Sequence, residues 1–180
     1  IQYARIADLQ DSEVPLIVGC GAIGLAVIAA LKVQGNGPII ASDPSPFRRK
    51  SAEKMGADVV VDPKAENPMG IWAFNAPMGS RCVVVECVGA PGVLNEILIT
   101  APWSSRIIVA GQNLNDDVLF TASAHTKGIN VQFGGSPIGK DYTDSLDALA
   151  SGKIDVSFWQ TGHVNLDGAI EAFTDSTDTE

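Results

Sequence analysis

The 180-residue sequence is short of several features, and each shortage excludes a class of protein. Three cysteines are too few, and odd in number, for a disulfide framework, so we expect a reducing, cytoplasmic location. The longest apolar run, Ala22 to Val33, falls short of the ~18 residues of a membrane span and is broken by Lys32. We therefore expect a soluble protein with no membrane partner.

Positive charge is scarce as well. Twelve lysines and arginines stand against 21 aspartates and glutamates, which gives a formal charge of −9. So acidic a domain is poorly suited to neutralising a phosphate backbone, and we expect no nucleic-acid partner. The total charge does not exclude one small anion, because the N–H groups at a single helix N-terminus can bind phosphate.

Glycine and proline, with 18 and 10 residues, are plentiful and separate short apolar segments. Strands are predicted at 16–18, 39–42, 59–61, 82–88, 107–110 and 129–133. Helices are predicted at 22–33, 46–55, 69–74, 91–98, 122–126, 141–150 and 166–173. This alternation predicts an α/β fold with a doubly wound, parallel, six-stranded sheet and helices on both faces.

The pattern Gly19-x-Gly21-x-x-Gly24 directly follows the first predicted strand and opens the first predicted helix. There, glycines permit a tight turn, a close approach of backbone to a pyrophosphate, and close helix-strand packing. Asp43 ends the second strand, where a carboxylate accepts hydrogen bonds from a ribose and repels the 2′-phosphate of NADP. We predict a Rossmann dinucleotide site that prefers NAD. The competing interpretation is a simple tight connection, with Asp43 as a turn residue.

The sequence offers no catalytic residue and no metal site. Its two histidines, His125 and His163, and its three cysteines lack the spacing typical of zinc ligands. Glu86 ends the fourth strand near the expected cleft, and we interpret it as a structural hydrogen-bond acceptor rather than a functional acid. Cys20 is interpreted as a small side chain that fits the glycine turn, with a redox role as the alternative.

Five segments together resemble the coenzyme-binding, C-terminal domain of zinc-containing medium-chain alcohol dehydrogenases. They are LIVGCGAIGLAVIAALK, ASDPSPFRRKSAEKMGADVVVD, VVVECVGAPGVL, RIIVAGQ and KGINVQFGG. The resemblance implies oxidation of an alcohol or polyol by hydride transfer to NAD. It places zinc in an N-terminal catalytic domain that this sequence lacks, so we expect this chain alone to bind NAD without turnover.

The resemblance also implies roles for individual positions. The glycine turn would hold the pyrophosphate, Asp43 and Arg48 would lie at the adenosine ribose, and 87–89 would pass the adenine and the nicotinamide ribose. The segments 111–112 and 131–133 would hold the nicotinamide and its carboxamide. The implied cofactor-binding residues are Gly19, Gly21, Ala22, Ile23, Gly24, Asp43, Arg48, Cys87, Val88, Gly89, Gly111, Gln112, Val131 and Phe133.

We divide the sequence into a linker or lead-in helix at 1–13, a dinucleotide-binding domain at 14–135 and a helical C-terminal extension at 136–180. Because the first residue is not Met, we expect either a piece of a longer protein or a missing start. The strand Ile129 to Phe133 resembles the edge through which two such domains pair, which implies a homodimer. Two alternatives stay open: a non-enzymatic NAD-sensing module, and an S-adenosylmethionine-dependent methyltransferase, whose usual tighter glycine pattern is absent here.

Overall fold

The computed structural model describes residues 1–157, 159 and 162–175. The strands are β1 Glu13–Val18, β2 Ile40–Ser42, β3 Val59–Val61, β4 Arg81–Glu86, β5 Arg106–Val109 and β6 Asn130–Phe133. The helices are α1 Gln2–Ala7, α2 Ala22–Val33, α3 Pro46–Met55, α4 Pro68–Asn75, α5 Val93–Thr100, α6 Thr121–Lys127, α7 Gly139–Ala150 and α8 Ala169–Asp175. A 3₁₀ turn, Leu166–Gly168, precedes α8, and both lie in the region where one helix is predicted. Residues 176–180 of the predicted C-terminal extension lie outside the described residues.

The six strands form one parallel sheet in the order β3-β2-β1-β4-β5-β6. This is the strand order of a doubly wound dinucleotide-binding sheet. The chain moves outward from β1 to β3 and then crosses back to β4, so a crevice opens between β1 and β4 at their carboxyl ends. The predicted six-stranded α/β fold is confirmed.

Alternate residues of the central strands enter two separate cores, one on each face of the sheet. Ile17, Val83 and Ile108 belong to the core formed with α1, α2 and α3. Leu16 and Val84 belong to the core formed with α4 and α5. Because both faces are buried, the central strands read as continuous apolar runs rather than alternating ones.

Several predicted boundaries differ from those of the structure, and three of the differences have a local reason. β1 includes Pro15, which the prediction left out. β2 pairs only with residues from Leu16 onward, so the missing N–H of Pro15 costs no bond on that side. β4 ends at Glu86 rather than Val88, since the Glu86 side chain accepts the N–H groups of Val88 and Gly89. α5 begins after Gly92, whose φ of 82° is not helical.

The segment before β1 is built into the fold. Ala4 and Ala7 of α1 are buried in the same core as α2 and α3. Arg5 donates two hydrogen bonds to the carboxylate of Asp141, at 2.8 and 2.9 Å, and so ties α1 to the start of α7. Within the described residues, none of the helices has both the length and the apolar character to cross a membrane.

Candidate functional site

Two adjoining cavities open at the carboxyl end of the sheet. The first cavity, about 870 Å³, lies over β1 and β2 and is lined by Gly21, Asp43 and Val88, among others. The second cavity, about 590 Å³, lies over β4, β5 and β6 and is lined by Gly111 and Phe133, among others. Ile23 lines both, so the two cavities meet at the start of α2. This is the switch point at which doubly wound sheets bind ligands.

The glycine turn between β1 and α2 depends on two tight approaches. Gly19 has a φ of 93° and donates its N–H to the Ser42 carbonyl at 2.8 Å. A Cβ on Gly24 would lie 1.9 Å from the Gly19 carbonyl oxygen, so no side chain fits there. A Cβ on Gly21 would meet nothing within 4 Å, which means that the fold itself does not require glycine at this position.

The N-terminus of α2 opens toward the first cavity. Gly21 is its N-cap, and no side chain there accepts a hydrogen bond from the helix. The first backbone N–H groups of a helix have no intrahelical acceptor and carry the positive end of the helix dipole. The turn therefore presents the positive end of the helix dipole at Gly21, Ala22 and Ile23, a geometry suited to an anion.

Asp43 is 2% exposed yet lines the first cavity. Its Oδ2 accepts the Cys20 N–H at 2.8 Å, and its Oδ1 accepts the Ser45 N–H, also at 2.8 Å. The Nη1 of Arg48 lies 4.0 Å from Oδ2, and Arg48 lines the same cavity. Asp43 is thus a turn residue, as one interpretation of the sequence held. Each carboxylate oxygen accepts more than one hydrogen bond, so the turn role is compatible with the predicted ribose contact.

Glu86 joins two loops that border the second cavity. Its Oε1 accepts the N–H groups of Val88 at 2.7 Å and Gly89 at 2.8 Å, and its main-chain carbonyl accepts those of Ala110 and Gly111. Glu86 is 2% exposed. The interpretation of Glu86 as a structural hydrogen-bond acceptor is confirmed.

The two loops approach each other too closely for side chains. A Cβ on Gly111 would lie 2.2 Å from the nitrogen of Gly89 and 2.8 Å from Oε2 of Glu86. Gly89 itself has a φ of 68°. The glycines at 89 and 111 therefore permit a loop-to-loop contact that Glu86 fixes in place.

The structure brings most of the predicted site residues to the two cavities. The first cavity receives Gly19, Gly21, Ala22, Ile23, Asp43, Arg48, Cys87 and Val88, and the second receives Ile23, Gly89, Gly111, Gln112 and Phe133. Gly24 lies beneath the turn, and Val131, which is 38% exposed on β6, is not among the lining residues of either cavity.

Sequence reasoning missed several residues of the second cavity. Asn113, Asn115 and Asp117 follow β5 in a loop without a recognisable motif, and they line this cavity. Tyr3 lines it as well, although Tyr3 belongs to the six-residue helix α1. A pattern of spacing within one segment cannot reveal such a contact, because Tyr3 and the rest of the lining are distant in sequence.

The three thiols are held in their protonated form. Burial raises the pKa of Cys20 to about 12, helped by the charge of Asp43, and burial raises the pKa of Cys82 to about 12. Burial, with the charge of Glu86 next in importance, also raises the pKa of Cys87. Protonated thiols are weak nucleophiles. Cys20 and Cys82 are buried and pack in the core, whereas Cys87 is half-buried and lines the first cavity. In the described ranges, His, Cys, Asp and Glu form no group that could hold a metal ion.

Comparison with known proteins gives one family match and many structural relatives. The profile of the zinc-binding dehydrogenase family matches residues 22–151, more than two thirds of the chain. The L-threonine 3-dehydrogenase of Thermococcus kodakarensis is 40% identical over 96 residues, which make up 53% of this chain and 27% of that protein.

Two solved structures show the same fold. An alcohol dehydrogenase from Escherichia coli CFT073, complexed with NADH, has a TM-score of 0.83 at 19% identity and covers 99% of this chain. A zinc-binding dehydrogenase from Sinorhizobium meliloti 1021, bound to NADP, has a TM-score of 0.80 at 20% identity and covers 96% of it. The chain spans about half of each, 54% and 52%.

Proposed function

The chain belongs to the zinc-binding dehydrogenase family, and we propose that it is the NAD-binding part of a zinc-dependent alcohol or polyol dehydrogenase. The observation that supports this most strongly is the pair of cavities at the switch point, with the open N-terminus of α2 and the carboxylate of Asp43 in the first. A dinucleotide has two nucleosides joined by an anionic pyrophosphate, and two cavities meeting at an anion-binding turn fit that shape.

The residues of the cleft fit NAD in three respects. The backbone at Gly21 is free of any group that would block a pyrophosphate, since a Cβ there would meet nothing. Asp43 provides acceptors for a ribose diol in the first cavity. Gly111 and Phe133 supply backbone and an aromatic ring in the second, where the nicotinamide would lie.

The bound cofactor would supply the hydride acceptor, and the protein would position it. Glu86 holds the loops at Gly89 and Gly111 in one arrangement, so the second cavity is formed before a ligand arrives. Zinc and the proton-transfer groups would belong to a part of the enzyme outside this chain. We therefore expect this chain to bind NAD without oxidising alcohols.

A preference for NAD over NADP follows from the charge of Asp43. A buried carboxylate repels a 2′-phosphate placed beside the ribose that it binds. Arg48 lies 4.0 Å from that carboxylate and offsets part of the repulsion. Relatives with this fold bind NADH in one case and NADP in another, so residues such as Asp43, rather than the fold, would decide the preference.

We also propose that two copies pair through β6. All four residues of this edge strand are exposed, and Phe133 is 68% exposed. An uncovered edge offers unpaired backbone donors and acceptors to a second strand. Sedimentation velocity should show a dimer that Val131→Asp converts to a monomer; a monomeric parent chain would contradict the pairing.

A cytoplasmic location agrees with the cysteines, which are all free thiols. The substrate would be a small alcohol or polyol, bound largely by the rest of the enzyme.

The proposed function is tested by titrating the chain with NADH and following NADH fluorescence. We expect saturable binding with one NADH per chain, displaced by NAD and ADP-ribose but not by S-adenosylmethionine. We expect no NADH to form from NAD and a panel of alcohols. Binding of S-adenosylmethionine instead of NADH would favour the methyltransferase alternative, and turnover by this chain would contradict the assignment of catalysis to another part.

A further inference from the structure

We propose that α1 positions the nicotinamide end of the cofactor cleft, and that Gln2 and Tyr3 are its positioning residues. This inference rests on the proposed function, because it assigns a task to residues that border the second cavity. The sequence alone suggested only a linker or lead-in helix for this segment.

Gln2 holds the backbone that leaves β6. Its side chain Nε2 donates to the carbonyl of Gly134 at 3.1 Å and to the carbonyl of Gly135 at 3.0 Å. A carboxamide nitrogen carries two N–H donors, so both are used. Gly135 has a φ of 64°, and a Gly-Gly pair is the most mobile backbone a chain can have. Two hydrogen bonds from one buried side chain remove that freedom directly beside Phe133.

Tyr3 fills the space between the ends of β5 and β6. Its ring lies so close to Gly134 that a Cβ there would come within 2.1 Å of the ring atom Cε1. Its hydroxyl donates to the carbonyl of Ala110 at 3.4 Å, a long bond, so ring packing contributes more than the bond does. Ala110 precedes Gly111, and Tyr3 itself lines the second cavity. Tyr3 thus contacts Ala110 and Gly134, which adjoin the two backbone segments expected to hold the nicotinamide.

The helix that carries these side chains is fixed at three other points. Ala4 and Ala7 are 1% and 0% exposed in the core. The guanidinium of Arg5 pairs with Asp141, and Arg106 donates to the carbonyl of Ala7 at 2.7 Å. Gln2 and Tyr3 therefore project from a rigid support, which is what positioning a loop requires.

The segment 1–13 borders only one of the two cavities, which makes a positioning role distinguishable from a general structural one. No residue of 1–13 lines the first cavity, whereas Tyr3 lines the second. Loosening the second cavity should weaken contacts to the nicotinamide and leave those to the adenosine half intact. A merely structural role would instead weaken binding of both halves together.

The experiment compares affinity for NADH with affinity for ADP-ribose, which lacks the nicotinamide. Gln2→Met keeps the length of the side chain and removes both donors, and Tyr3→Phe removes only the hydroxyl. Matched controls are Gln34→Met and Tyr142→Phe, which make the same changes at exposed positions. Dissociation constants come from calorimetric titration of the 180-residue chain, after circular dichroism has established that each variant is folded.

We expect Gln2→Met to weaken NADH binding about five- to tenfold and ADP-ribose binding less than about twofold. Tyr3→Phe should weaken NADH binding about twofold relative to ADP-ribose binding, a small effect because the hydrogen bond that it removes is long. The controls should change neither constant. If Gln2→Met weakened the binding of NADH and ADP-ribose equally, or weakened neither, the positioning role would be overturned and the proposed function would stay intact. Failure of the unmodified chain to bind either ligand would overturn the proposed function and this inference with it.

Discussion

The two cavities of the cleft are built in different ways. The first combines segments 18–23 and 42–48, which belong to consecutive elements of one βαβ unit, with residues from segments 63–69 and 87–100. The second joins loops after β4, β5 and β6 with a side chain from α1, and the bonds from Gln2 and Tyr3 connect residues 107 to 133 positions apart. The glycine turn and Asp43 of the first cavity are therefore encoded locally, whereas the second cavity depends on contacts between segments far apart in the sequence.

The largest loss of stability is expected from a substitution at Gly24, where the glycine turn of the first cavity packs on the core. Gly24→Ala places a Cβ 1.9 Å from the Gly19 carbonyl oxygen, which should lower the free energy of unfolding by about 3 kcal/mol or more and abolish NADH binding. Urea unfolding measures the loss.

Gly21→Ala is the matched control, because its Cβ meets open space. It should lower the free energy of unfolding by about 1 kcal/mol or less, the cost of Ala at an N-cap, and still weaken NADH binding about tenfold or more, since the methyl group would stand where the pyrophosphate approaches. Equal destabilisation by the two substitutions would show that the roles assigned to these glycines are wrong.

A smaller loss of stability is expected from substitutions of Glu86, which joins the two loops that border the second cavity. Glu86→Leu leaves the N–H groups of Val88 and Gly89 without their acceptor, at a cost of about 2 kcal/mol. Glu86→Gln keeps a side-chain oxygen as acceptor and should cost less than half as much. Thermal unfolding of both variants checks this, and a Leu variant as stable as the parent would contradict the account of Glu86.

A change in selectivity is expected from Asp43, together with some loss of stability, because Asn offers one acceptor oxygen to the two N–H groups of Cys20 and Ser45. Asp43→Asn removes the negative charge from the first cavity, so the preference for NADH over NADPH should fall about tenfold. Asp62→Asn removes a carboxylate that pairs with Arg49 at 3.2 Å and should leave the preference unchanged. Parallel titrations with NADH and NADPH give the ratio, and equal affinities in the parent chain would refute the selective role of Asp43.

The smallest effect concerns the support of α1 and depends on pH. Arg5 and the N–H of Ile138 hold the pKa of Asp141 at about 2, below its ordinary value of 3.8. A lowered pKa stabilises the fold above the ordinary value, and this contribution is lost as the pH falls through about 2. The stability difference between the parent chain and Arg5→Met should therefore be full above about pH 4 and close toward pH 2. Unfolding curves of both proteins at several pH values test this. A stability difference that grows as the pH falls would contradict the lowered pKa of Asp141.

The contrast between the cavities also explains which predictions from sequence succeed. The sequence indicates the glycine turn and the position of Asp43 because strand, turn, helix and acid follow one another in the chain, and each step has its own residue signal. β4 was extended wrongly to Val88 because Cys87 and Val88 have β-forming side chains. The Glu86 side chain that takes the donor of Val88 is visible only in three dimensions.

Tyr3 was missed for a related reason. Its part in the second cavity comes from packing against Gly134, and nothing in residues 1–13 signals that contact. The apolar run at 16–18 predicts too short a β1, because the strand also includes Pro15, which is tolerated on the side that β2 does not reach. Sequence patterns thus predict helices, strands and contiguous motifs. They fail where a site depends on contacts between segments far apart in the sequence.

The most direct test of the account is a titration of the ¹⁵N-labelled chain with NADH and, separately, with ADP-ribose, followed by amide chemical shifts. We expect NADH to shift the amides of Gly21, Ala22 and Ile23 together with those of Gly111 and Gly134. We expect ADP-ribose to shift the amides of Gly21, Ala22 and Ile23 and to leave the amide shift of Gly134 unchanged. Shifts confined to residues outside both cavities, or none with either ligand, would contradict the claim that this cleft holds a nicotinamide dinucleotide.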